Sequence, residues 1–108
     1  MRSKPTFLEG RSVAERLKKA IQKRPDIRLH HVFLFGSVAR KESHEWSDID
    51  VAVICDRFEH SKVKEARIFY SLIPDRDVRL SLVVLHPEEM ANKYSTIAGE
   101  IKQDGVEV

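Results

Sequence analysis

"LFGSVARKESHEWSDIDVAV", Leu34 to Val53, ends an apolar run in Gly36-Ser37 and, after ten intervening residues, places Asp48 and Asp50 one residue apart at the start of a second apolar run. Residues two apart on a strand project from the same face, so the two carboxylates point one way, roughly 6.5 to 7 Å apart along the backbone. Acids so placed repel each other, and in an apolar strand they cost stability unless paired or metal-bound. The bland alternative is a capped turn or an ion pair with a nearby arginine. Gly36 argues against it, because a glycine lets the chain turn where a side chain would block a phosphate, and Ser37 adds a hydroxyl donor. Hard oxygen ligands of this kind suit Mg²⁺, which binds through one or two carboxylates together with substrate phosphates. One end of the stretch fits phosphates and the other fits a metal.

Working outward, Ser12 and Glu15 read as a capping box, and Val13, Leu17 and Ile21 recur at four-residue spacing. That predicts a helix from about Val13 to Lys23, stopped by Pro25, after a flexible stretch over residues 1–10. His31 to Phe35 predicts one buried strand and Asp48 to Ile54 a second. From Ser61 to Ile73 the apolar positions Val63, Ala66, Tyr70 and Ile73 keep helical spacing up to Pro74. Val78 to Leu85 predicts a third strand, with Val78, Leu80, Leu82 and Val84 on one face. Pro87, Glu88 and Glu89 open a final helix that Asp104-Gly105 ends, and Val106 to Val108 offers at most a little edge pairing. The order implies an α/β (α+β) fold, a small mixed β-sheet flanked by helices. The sheet is mixed because the first two strands are joined by too little chain for a crossover helix.

At 108 residues with a 42% hydrophobic share, residues 11–108 suffice for a single domain with its own core. A net charge of +2 is too small to argue for a nucleic-acid partner, and the aromatics do not interleave with the basic residues as a stacking platform requires. Cys55 stands alone, so no internal disulfide forms, and it reads as a small buried hydrophobe rather than a nucleophile. Met1 to Gly10 lacks the apolar core of a signal peptide and no run is long enough to span a bilayer, so a cytoplasmic, reduced protein with no membrane partner is expected. His30, His31, His44, His60 and His86 show no metal-ligand spacing, and those at strand ends need no catalytic explanation.

Gly36-Ser37, ten residues, then Ser47-Asp48-Ile49-Asp50 resembles the signature of the DNA polymerase beta nucleotidyltransferase superfamily. "FGSVARKESHEWSDIDVAV" is most similar to its minimal nucleotidyltransferases, small single-domain members often encoded beside a HEPN-domain partner as toxin and antitoxin. "VRLSLVVLHPEEM" and "EIKQDG" extend the likeness less sharply. The resemblance implies a polymerase beta-like palm fold and Mg²⁺-dependent transfer of a nucleoside monophosphate, commonly AMP from ATP, to a hydroxyl. It implies Asp48 and Asp50 as catalytic metal ligands, and Gly36 and Ser37 as the seat of the triphosphate. Arg40 and Lys41 become candidate partners for the outer phosphates, although exposed loop cations are usually only solvated. Many family members carry glycine at the position of Lys41. Trp46 either stacks on a base or anchors its loop on the core, the commoner role.

Active members usually carry a third carboxylate on a later strand, and the alignment places it at Ser81. Asp77 has the same strand parity but lies about 13 Å away along the backbone, too far to substitute without a bulge. Two functions therefore stay open: a working nucleotidyltransferase acting on a protein or small molecule, and a catalytically weakened nucleotide-binding module that serves as a protein-binding antitoxin or regulatory subunit. A chain this short leaves one side of a nucleotide groove for a second subunit to close, so a homo-oligomer is also open.

Overall fold

The computed structural model describes residues 4–73 and 79–108. Along them run α1 (Phe7–Gln22), β1 (Leu29–Phe35), α2 (Gly36–Ala39), β2 (Ile49–Cys55), α3 (Lys62–Ser71), β3 (Leu80–Leu85), α4 (Pro87–Met90), α5 (Thr96–Asp104) and β4 (Val106–Glu107). The strands form one sheet in the order β3-β2-β1-β4. β1 and β2, joined by a short link, pair antiparallel with Phe35 opposite Asp50. β2 and β3, joined through α3, pair parallel with Asp50 opposite Ser81. Link length thus decides strand direction, as expected, and the sheet is mixed. The C-terminal residues pair as well, with Phe33 opposite Glu107, and Val108 donates its N–H to the Val32 carbonyl.

Strand alternation divides the core between the two faces of the sheet. Ile49, Val51, Val53 and Cys55 of β2, with Leu80, Leu82 and Val84 of β3, pack toward Val13, Leu17 and Ile21 of α1 and Phe69 of α3. Ala52 and Ile54, with Phe35 and Leu85, pack toward Ile101 of α5. Asp50 has the parity of this second face.

Four expectations are corrected. α1 starts at Phe7 rather than near Val13, because the Thr6 side chain accepts the Glu9 N–H and caps it there, leaving Ser12 inside the helix. Residues 7–10, in the stretch expected to be flexible, are therefore helical, and Gly10 packs against Leu34 and Val38. β1 begins at Leu29, two residues before the expected His31. The final helix is two: Ala91 ends α4, the Asn92 side chain accepts the Tyr94 N–H, and the Ser95 hydroxyl caps α5 by accepting the Ala98 N–H.

The fourth correction concerns the rotation of α3. Its most deeply buried residues are Glu65 and Phe69, and of the stripe expected to face the core Ile73 is buried and Ala66 and Tyr70 pack against the core at its margin, while Val63 stands 68% exposed. A buried glutamate is tolerated because Glu65 Oε1 lies 2.7 Å from Nε2 of the buried His86, and Glu65 Oε2 accepts the Phe58 N–H at 2.9 Å. Pro74, Asp77 and Val78 lie outside the described residues. No helix among those described is long and apolar enough to cross a membrane.

Candidate functional site

β1 delivers Phe35 opposite Asp50, and at the next residue the chain turns away into α2. Gly36 makes that turn with φ +75°, a left-handed conformation that side-chain-bearing residues rarely adopt. Space demands glycine as well, since a Cβ at residue 36 would overlap the Asp50 carboxylate. The acid of β2 therefore sits directly against the Gly-Ser bend, with Ser37 the next residue of α2. Asp48, one residue before β2, is exposed, whereas Asp50 is half-buried.

Burial pushes the Asp50 carboxyl up to about 6; the neighbouring charges of Asp48 and Glu100 push the same way, and Arg40 opposes them. This pair of acids gathers negative charge faster than the surrounding chain neutralises it. A divalent cation fits such a donor set, held by oxygen ligands from Asp48 and Asp50, with a side-chain-free approach over Gly36. Among the described residues no three His, Cys, Asp or Glu side chains converge as a metal cage.

Arg40, nearly one helical turn beyond Ser37, already has acidic company. Its Nε donates to Glu42 Oε2 at 3.1 Å and its Nη1 lies 3.5 Å from Asp104 Oδ2 of α5. It is near enough to lower the Asp50 carboxyl, so it belongs to the site's electrostatics while being shared with two other acids. Lys41 adopts φ +61°, the conformation for which glycine is the usual choice, so the turn stays tight with lysine in it. Its Nζ lies over the Phe7 ring, 5.2 Å from the centroid.

The loop into β2 is fixed by short-range bonds. His44 N–H donates to the Ser47 hydroxyl, Ser47 N–H to the His44 carbonyl, and Trp46 N–H to His44 Nδ1. Trp46 is 69% exposed and does not anchor this loop on the core. Across the sheet, Ser81 is the register partner of Asp50 and has its parity, so a serine hydroxyl stands where the alignment calls for an acid. Glu100 and Asp104, one helical turn apart on α5, are the site's unexpected members. Their sequence signals are an acidic pair at helical spacing and a place in "EIKQDG", where the family likeness is less sharp. Cys55 is buried, and burial pushes its thiol up to about 12, which suits the inert role expected of it.

Comparison with known proteins then decides the family. The profile of the family described as "Polymerase beta, Nucleotidyltransferase" matches residues 15–108. The chain belongs to the polymerase beta nucleotidyltransferases. Among solved structures, a Sulfolobus solfataricus protein described as a nucleotidyltransferase is 20% identical with a TM-score of 0.61, over 94% of this chain and 80% of that one. A mutant of the toxin–antitoxin MntA-HpeT is 18% identical with a TM-score of 0.54, over 87% of this chain and 69% of that one. At those identities the two structures speak to the fold, and they share it. No curated protein sequence matches. The resemblance to a minimal nucleotidyltransferase and the mixed-sheet architecture expected from it are thus borne out.

Proposed function

We propose that this nucleotidyltransferase moves a nucleoside monophosphate, AMP from ATP, onto a hydroxyl of a protein or small molecule in the presence of Mg²⁺. The observation that carries the reading is the Asp50 carboxylate lodged against Gly36, with the like charge of Asp48 close by. Asp48 and Asp50 hold the cation, Gly36 and Ser37 seat the triphosphate, and Arg40 exchanges Glu42 or Asp104 for an outer phosphate. When bound, Mg²⁺ offsets the charge that gathers on the reacting phosphate and on the pyrophosphate. In the step itself the acceptor oxygen bonds to the α-phosphorus, the bond to pyrophosphate breaks, and the hydroxyl proton leaves. Ser81, beside Asp50, has no carboxylate to receive that proton, so it passes to solvent and the transfer is slow.

The same serine favours the second reading, a module that binds nucleotide but whose main work is holding a partner as an antitoxin or regulatory subunit. The structural likeness to the toxin–antitoxin MntA-HpeT supports a protein partner, and a HEPN-domain protein in the cytoplasm is the one proposed. The domain expected over residues 11–108 takes in the first turn of α1 as well, with self-association as the other way of closing the nucleotide groove.

The purified protein and its partner, incubated with α-labelled ATP and Mg²⁺, decide between the readings. Label on the partner that disappears with Asp48→Asn supports transfer. A tight complex without label, unchanged by Asp48→Asn, supports the binding module. Calorimetry that finds no Mg²⁺-dependent ATP uptake removes both.

A further inference from the structure

α3 leaves Val63 exposed, and beside it the outer edges of Ala66 and Tyr70, whose inner edges pack on the core. Val63, Ala66 and Tyr70 lie on one side of the helix, opposite the inward Glu65 and Phe69. With Arg67 they line an open groove of about 440 Å³. A groove that sets an exposed hydrophobe beside partly exposed apolar edges marks a contact surface more often than a scattered hydrophobe does.

The exposed charges of α3 beside this groove have one sign. Lys64 and Arg67 are exposed, and their side chains form no ion pair with the described residues. The single acid of α3, Glu65, is buried against His86 and contributes nothing to the surface. Lys62, on the opposite flank, is engaged by Glu89 of α4. The surface thus combines apolar contact area with two cations that none of the described acids pairs with.

Tyr70 settles what form the occupant takes. Its hydroxyl accepts the Leu82 N–H at 2.9 Å and donates to the Leu80 carbonyl at 3.4 Å, both on β3, the edge strand of the sheet. An added strand would need those same backbone groups, so β-augmentation is blocked beside the groove. A helix presenting side chains meets no such obstacle. Single-stranded nucleic acid would want a longer row of cations and an aromatic face free to stack, and Tyr70 is tied to the sheet edge.

We propose that the α3 groove docks an acidic amphipathic helix of a partner protein, its apolar ridge covering Val63 and Ala66 and its carboxylates meeting Lys64 and Arg67. The surface is independent of the nucleotide site, because α3 packs on the sheet face opposite the one to which Asp50 belongs. The probe is a synthetic helix of about 18 residues with leucines on one face and glutamates on both flanks, labelled for fluorescence anisotropy at low salt. It is expected to bind saturably, and at least about tenfold more weakly to Val63→Asp and to Lys64→Glu/Arg67→Glu, a loss of the size that truncating an interface anchor brings. The same helix with lysines for glutamates is expected to bind the double variant better than the parent. All these positions are on the surface, so unchanged melting temperatures exclude misfolding. The proposal is overturned by no saturable binding, by equal binding of both helices to the parent protein, or by binding that Val63→Asp leaves intact. Preferential capture of single-stranded RNA or anionic vesicles, or a dimer that Val63→Asp dissolves, overturns it equally.

Discussion

At Asp50 one carboxylate answers to two demands, since its position against Gly36 suits a cation and penalises the bare anion. In metal-free protein its folded value of about 6 lies above the unfolded value near 3.8. The ionisation penalty is therefore complete above about pH 6 and fades as the pH falls toward 4, so acidification through that window stabilises the fold at this residue. Melting curves in a chelator are expected to show this gain for the parent protein and a flatter profile for Asp50→Asn; identical pH profiles would contradict it. At pH 7.5 the same variant is expected to melt no lower than the parent, yet to lose its stabilisation by Mg²⁺ with ATP. At the neighbouring residue, Gly36→Ala combines a left-handed backbone with overlap of the Asp50 carboxylate, and is expected to cost about 3 kcal/mol in chemical denaturation. A variant as stable as the parent would show that the bend relaxes away from the acid.

Among the elements, the parallel register of β2 and β3 sets Ser81 beside Asp50. Ser81→Glu, a partly exposed replacement, is expected to tighten Mg²⁺ binding in calorimetry and to raise the transfer rate at least about tenfold. No change in either would mean that the third acid belongs at another position. β1, β2 and the described part of β3 were legible because apolar runs bounded by Gly36 and by the two aspartates carry a strand's length and pattern. The rotation of α3 was not legible. Its apolar spacing marks the margin of the buried face and leaves Val63 outside, while the centre of that face holds Phe69 and a glutamate whose histidine partner lies 21 positions away on another element. The break between α4 and α5 depends on the local bonds of Asn92 and Ser95 and leaves the overall helical pattern intact. Within the site, Gly36, Asp48 and Asp50 could be read from one stretch. Glu100 and Asp104 could not, because only the docking of α5 on the sheet brings them near.

For the molecule as a whole, the Glu65–His86 pair ties α3 to the end of β3 inside the core, both side chains fully buried. Removing one member strands the other without water, so Glu65→Ala is expected to lower stability by about 3 kcal/mol while leaving Mg²⁺–ATP affinity intact, as measured by denaturation and calorimetry. A matching loss of affinity would mean that the two ends of the sheet are coupled. The sheet order also bears on how the chain matures. β1 lies inside the sheet, yet its outer neighbour is supplied by residues 106–107, made long after β1 itself. A nascent chain with β1 and β2 already joined would leave the far side of β1 open to strands of other polypeptides until those residues arrive. Synthesis halted shortly before residue 106 should therefore yield a species prone to clump, and its protection on the ribosome would fall to chaperones.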